Sequence, residues 1–239
     1  MRKIDNIFEN LLKKKLAKLP VESLLIEMTN NNYYFPNNIW KKYFDKSSIE
    51  SGKWISWFAT RQAEKIADKQ EFEKLKKIIE NASSEIKRKA YFCLGHLAKN
   101  LGDKQIFEYL MDKLEVETEE NNETILIAIT NAEKPLEFNL DPIVNILKNG
   151  KIGMKTSAAI ALKKSKNPEI EMVLLNSFQE EKNKHLQEMI AATLRTVGTE
   201  KSIPILENKL KTAKGRDYKY FIESALEEIE KNTTANTRL

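Results

Sequence analysis

Apolar residues recur along this chain with the period of an α-helix, in short segments that come in pairs. The clearest stretch is Lys151–Gly198, KIGMKTSAAIALKKSKNPEIEMVLLNSFQEEKNKHLQEMIAATLRTVG. Its first half closes on Ala158-Ala159-Ile160-Ala161-Leu162 and its second on Ile190-Ala191-Ala192-Thr193-Leu194. Laying Leu162 on Leu194 superposes small residues, an apolar anchor and a basic exit. The same anchor recurs at Leu94, Ile129, Leu162, Leu194 and Leu226, at spacings of 35, 33, 32 and 32 residues. Four residues before each stands Ala90, Ile125, Ala158, Ile190 or Ile222, on the same helical face. Each anchor helix is preceded by another amphipathic segment: Phe72–Ile79, Ile106–Leu114, Ile143–Leu147, Ile170–Phe178 and Ile203–Leu210. The pattern predicts five helical hairpins, A then B, at the interval of a helical repeat.

This pattern, over about Lys69 to Lys231, resembles the short bacterial HEAT-like repeats, the kind also seen in phycobilisome-lyase-type HEAT proteins. The resemblance implies an all-α fold, an α-solenoid of about five stacked HEAT-like helical hairpins with a divergent helical N-terminal cap. Physical reasoning agrees: a two-helix unit cannot cover its own apolar face, so neighbours stack and share a core. The expected organisation is an aromatic-rich N-terminal cap over residues 1–66, a repeat region over 67–231 and a flexible tail over 232–239. Pro135, Pro142, Pro168 and Pro204 are expected near helix starts, where a missing N–H costs little. Asp141 and Asn167 precede prolines and are expected to cap the helices that follow.

The N-terminal part departs from the repeat. Ile4, Ile7, Phe8, Leu11, Leu12, Leu16 and Leu19 make one apolar face, flanked by Lys13, Lys14, Lys15 and Lys18. That face reads as an end cap for the first hairpin rather than a membrane-surface helix. A second helix is expected over Val21–Thr29. After a break rich in turn formers come Trp40, Trp54 and Trp57, all the tryptophans of the chain, interleaved with Lys41, Lys42, Lys53 and Arg61. Aromatics with bases between them stack on nucleobases or anchor a peptide; the plainer expectation is that the rings form the core of the cap.

Composition narrows the function classes. The net charge of +5 is modest and 31% of residues are charged. Cys93 is the only cysteine and sits in an apolar stripe, so no disulfide forms within the chain and the thiol reads as a small buried hydrophobe. The start of the chain lacks the apolar core of a signal peptide, and no stretch reaches membrane-span length. A cytoplasmic protein is expected.

The distribution of charge points to a partner. Basic residues gather in B segments at Lys87, Arg88, Lys155, Lys163, Lys184 and Arg195. Glu169, Glu171, Glu180 and Glu181 make the fourth A segment acidic, and Glu120 and Glu123 interrupt the basic trend in the second B segment. The resemblance implies that B helices line a concave surface, which would then attract an acidic partner.

Catalytic motifs are missing from this picture. The two histidines, His96 and His185, have no nucleophile motif nearby and no cysteine pairs for zinc, and no glycine-rich phosphate loop occurs. Each histidine is followed by leucine, where HEAT-type metal hydroxylases carry His-Glu dyads. The expectation is a non-catalytic scaffold, adaptor or regulator without cofactor or metal, its partner another protein with an acidic surface. The alternative is nucleic-acid binding, extending to a HEAT-like DNA glycosylase with Trp40, Trp54 and Trp57 near Asp45 or Glu64.

Overall fold

The computed structural model describes residues 2–35 and 54–236, and the protein is all-α over them. The chain divides into two compact units, Met1–Leu101 and Gly102–Leu239. The first hairpin thus groups with the N-terminal helices, not with the later hairpins.

In the first unit, α1 (Arg2–Leu16), α2 (Val21–Glu27) and α3 (Ile55–Ala63) precede the hairpin of α4 (Glu71–Asn81) and α5 (Ser84–Leu101). Helix α1 packs on α3, and α2 packs on α3, α4 and α5. Leu12 and Leu16 of α1 are buried while Ile7 and Leu11 are exposed, so α1 buries only part of its apolar stripe. Asn100 Nδ2, near the end of α5, donates to the carbonyls of Glu64 and Ile66 at 2.9 and 2.8 Å. Those carbonyls follow the last turn of α3, so one amide ties the exit of α3 to α5.

The second unit holds four hairpins: α6 (Lys104–Val116) with α7 (Glu119–Ile129), α8 (Asp141–Asn149) with α9 (Ile152–Ala161), α10 (Glu169–Glu180) with α11 (Lys184–Val197), and α12 (Ile203–Thr212) with α13 (Arg216–Asn236). Each of the five expected A segments lies inside an observed helix. Helix α9 packs between α7 and α11, and α11 between α9 and α13. The A helices form a second row, α6 on α8 and α8 on α10. The sequence anchors are core residues of the unit each belongs to. Leu94, Ile129, Leu162 and Leu194 are fully buried, as are Ala90, Ile125, Ala158, Ile190 and Ile222, and Leu226 is buried at 9% exposure. Cys93 is buried too, and burial pushes its thiol up to about 12, out of reach of thiolate chemistry at neutral pH.

Local chemistry sets the helix starts. Asp103 accepts from Ile106 N, Thr118 from Asn121 N and Asn183 from Leu186 N, each an N-cap bond. Asn167 Oδ1 accepts from Glu169 N at 2.9 Å, as expected of a cap. Asp141 is instead the first residue of α8, and Asn139 accepts from its N–H at 2.9 Å. Pro142 and Pro204 occupy first turns and Pro168 the N-cap position of α10. Pro135 lies in the connection before α8, away from any helix start. Gly198 ends α11 with an ordinary φ of −71°. Its lack of a side chain is a packing requirement, because a Cβ there would lie 2.6 Å from the backbone oxygen of Leu194 and 2.7 Å from Ile229 Cδ1 of α13. Helix α13 continues to Asn236, through most of the stretch expected as a tail.

Two buried polar side chains join neighbouring hairpins. Gln187 Nε2 donates to the carbonyls of Phe178 and Glu181 at the end of α10, while its Oε1 accepts from Tyr218 Oη of α13 at 2.6 Å. Burial, and then the nearby Glu188, push the Tyr218 phenol up to about 12. Asn122 stands at the matching place in α7, and its Nδ2 donates to Leu114 O at the end of α6 at 3.0 Å. Glu171, counted above among the acidic residues of the fourth A segment, is buried. Its carboxylate accepts from Thr199 N at 2.7 Å, from Thr199 Oγ1 and from Ser202 Oγ at 2.6 Å. It therefore caps the 3₁₀ turn Glu200–Ser202 that leads into α12, where a negative charge is favoured. Glu171→Ala strands the Thr199 N–H and the buried Ser202 hydroxyl and should cost about 2–4 kcal/mol in chemical denaturation. Glu171→Gln keeps an acceptor oxygen and should cost less.

Candidate functional site

Residues in or just beyond consecutive B helices meet in the second unit. Asn131, Lys163, Arg195 and Glu228 come from four successive hairpins, and with Lys164 and Thr196 they line a cleft of about 330 Å³. The repeat makes this meeting: Lys163 and Arg195 are 32 residues apart in sequence, and α9 and α11 are packed neighbours.

Local backbone geometry fixes the cleft. Helix α9 stops at Ala161, earlier than the basic run suggested, so Lys163, Lys164 and Lys166 lie beyond it. Lys164 has φ +60°, the only non-glycine residue in the left-handed region among the described residues. Such a conformation costs on the order of 1–2 kcal/mol and needs support from its surroundings. The support is visible. Lys164 N–H donates to Thr196 Oγ1 at 3.2 Å, and Lys164 O accepts from Lys134 N at 3.3 Å. Thr193 Oγ1, buried in α11, donates to Ala159 O of α9 at 2.9 Å and pins the two helices together.

The long connection 130–140, between α7 and α8, borders the cleft. Its Phe138 packs on Phe107 with ring centroids 4.6 Å apart. Its Lys134 is fully buried, and Nζ donates to Ile129 O, Ala132 O and Lys163 O at 3.0, 2.8 and 2.8 Å. One ammonium thus gathers the carbonyl ends of two B helices. Burial pulls the Lys134 pKa from its ordinary 10.5 down to about 7; Glu133 opposes the shift and Lys164 adds to it.

Charge is unevenly compensated in the cleft. Glu133 pairs with Lys164 at 3.0 Å and lies 4.0 Å from Lys166. Among the described residues no carboxylate lies within ion-pair distance of Lys163 or Arg195. Burial and then the neighbouring Arg195 both lower the pKa of Lys163. Two cations therefore face one cleft and repel each other, an arrangement that an entering anion relieves.

The other residues singled out by sequence are placed elsewhere. Lys155 is half-buried on α9. Lys184 is exposed in the first turn of α11, roughly 16 Å along the helix from Arg195 at 1.5 Å per residue. It lines a separate cleft of about 460 Å³ with Lys182, Lys209 and Lys214 but also Glu180 and Glu181. Lys87 and Arg88 are half-buried on α5, in the first unit. Within the second unit, Lys163 and Arg195 share a cleft and Lys184 does not join them. Trp40, with Asp45, Lys41, Lys42 and Lys53, lies outside the described residues. Trp54 and Trp57 are 41% and 46% exposed, so neither forms the core of the cap.

Sequence reasoning missed Lys134 and Thr196. The signal for the first was the length of the 130–140 connection, since long connections within compact folds carry special structure. Among the described residues no cluster of three or more His, Cys, Asp or Glu could hold a metal ion, and no helix is long and apolar enough to cross a membrane. No family model matches the chain, and no curated protein matches it.

Proposed function

We propose that this protein is a non-catalytic binding module, an adaptor or regulator built as a HEAT-like solenoid, whose B-helix side receives an acidic segment of another protein at Lys163 and Arg195. The carrying observation is the pair of uncompensated cations held in one cleft. A guanidinium fork beside an ammonium suits a carboxylate, which can accept from both. Because the bond from Thr193 to Ala159 O and the Lys134 anchor already fix the geometry, little ordering is left for the moment of binding.

A protein partner fits the cleft better than a nucleic-acid track. A duplex or strand is held through many phosphates, and 6–10 contacts are typical of strong salt-dependent binders. Here two cations are open, Glu228 stands in the same wall, and Glu133 pairs with the wall's Lys164. The test is charge reversal. Lys163→Glu combined with Arg195→Glu should weaken partner binding by roughly 100-fold, with helical content and stability unchanged, because a like charge at a docking surface both removes attraction and adds repulsion. Partner binding that is indifferent to the double reversal removes the cleft from the interface.

A further inference from the structure

A second cleft lies wholly within the first unit. It has a volume of about 500 Å³ and is walled by α1, α3 and α5, with Trp57, Phe58, Arg61, Lys65, His96 and Lys99 on its surface. Three features set its chemistry.

The first is an open aromatic surface. Trp57 stays 46% exposed although an indole is costly to leave in water. Phe58 meets it edge-on at 4.9 Å, and the Arg61 guanidinium lies 5.6 Å from the ring centroid. Arg61 is in turn held by Glu64, Nη1 to Oε1 at 2.8 Å. The indole is thus fixed in orientation and still accessible.

The second is charge. Lys13 at the rim is matched by Glu9 at 2.8 Å, and Arg61 by Glu64. Among the described residues Lys65 and Lys99, both exposed, have no ion-pair partner. The cleft therefore carries two open positive charges, the complement of a phosphate monoester dianion.

The third is an unpaired hydrogen-bonding atom on a side chain that lines the cleft. His96 Nδ1 is buried and has no hydrogen-bond partner, with its ring tilted on Phe92 at 4.5 Å. Buried polar atoms are nearly always paired, so an orphan in a cleft wall marks a place for a ligand atom. Burial holds this imidazole below its usual 6.5 against the pull of Glu64, with Lys99 and Arg61 adding to the shift.

A flat ring, a phosphate and an edge that hydrogen-bonds are the parts of one ligand class. We infer that this cleft binds a nucleotide, its base against Trp57 and its phosphate at Lys65 and Lys99, with His96 facing a polar atom of the base or sugar. The volume is within the range of small-ligand sites. The same chemistry is offered by a free nucleoside phosphate and by one residue of a single strand. The site is independent of Lys163 and Arg195.

Isothermal titration of the full chain with adenosine 5′-monophosphate, inorganic phosphate and a short single-stranded oligonucleotide tests this. The monophosphate should bind one per chain, at least about tenfold tighter than inorganic phosphate, since stacking adds to charge. Lys65→Glu with Lys99→Glu should weaken it roughly tenfold or more, and Trp57→Ala should remove the advantage over inorganic phosphate. All three residues are exposed, so unchanged circular dichroism verifies the fold. Lys163→Glu with Arg195→Glu should leave this binding intact. An oligonucleotide that binds tighter than the monophosphate assigns the source to a strand; equal or weaker binding assigns it to the free nucleotide. No binding at millimolar monophosphate overturns the inference, as does binding that the Lys65 and Lys99 reversals leave untouched, or an acidic peptide that occupies the cleft while the monophosphate does not.

Discussion

Relative to Lys134→Met, the natural chain gains about 3 to 4 kcal/mol of stability between pH 7 and pH 10. The gain follows from linkage. Burial puts the folded pKa of Lys134 at about 7, against 10.5 when the chain is unfolded. Between those values the unfolded chain holds a proton that the folded chain has released. Raising the pH removes that proton from solution's side of the balance and favours the fold, at up to about 1.4 kcal/mol per pH unit. Below pH 7 both states are protonated and the contribution is flat; above 10.5 both are neutral and it is flat again. The released amine keeps two N–H donors for the three carbonyls of Ile129, Ala132 and Lys163, so the structural tie survives deprotonation. Comparison with Lys134→Met isolates this residue, because the lowered pKa of Lys163 and every surface lysine are common to both chains. Urea unfolding at intervals of one pH unit checks it, and equal slopes for the two chains would contradict a buried, titrating Lys134.

Leu194→Ala should cost about 3 to 5 kcal/mol. The side chain is fully buried on α11, which packs on α9 and α13, so truncation loses transfer energy and leaves a void that neighbouring helices cannot fill without moving. Leu136 is the matched control, a leucine 64% exposed in the 130–140 connection, where truncation should stay within about 0.5 kcal/mol. Leu162→Ala should resemble Leu194→Ala. The two anchors sit in packed neighbours, so the double variant should deviate from the sum of the singles. Chemical denaturation of the four variants measures all of this, and a Leu194 penalty no larger than that of Leu136 would deny it an anchoring role.

The contrast between these leucines shows what the sequence can express. Leu94, Ile129, Leu162, Leu194 and Leu226 were legible because burial in a helix imposes a period, and a repeat imposes it again at 32 to 35 residues. Caps such as Asn167 were legible because capping depends on one side chain and its own backbone. Glu171 and Lys134 were not legible. A charged residue type reads as solvated, and nothing in the letters says that Thr199 and Ser202, or three helix-end carbonyls, will surround it. The end of α9 was also hidden, since Lys163 and Lys164 continue a good helical composition and only the left-handed turn at Lys164 stops it. The candidate cleft lay between these cases. Lys163 and Arg195 were picked out as basic residues of B segments, but their meeting depends on the stacking of α9 on α11. Lys184 belongs to the same composition and ends a helix length away.

The central claim is that Lys163 and Arg195 form the docking point for an acidic protein. The most direct test is capture from a cell extract, treated with nuclease and washed at low and moderate salt, with the natural chain and the Lys163→Glu, Arg195→Glu chain in parallel. The account predicts one nuclease-resistant protein with an acidic segment, retained at moderate salt by the natural chain and lost by the double variant. Material that disappears with nuclease, or a protein that both chains retain equally, would contradict it.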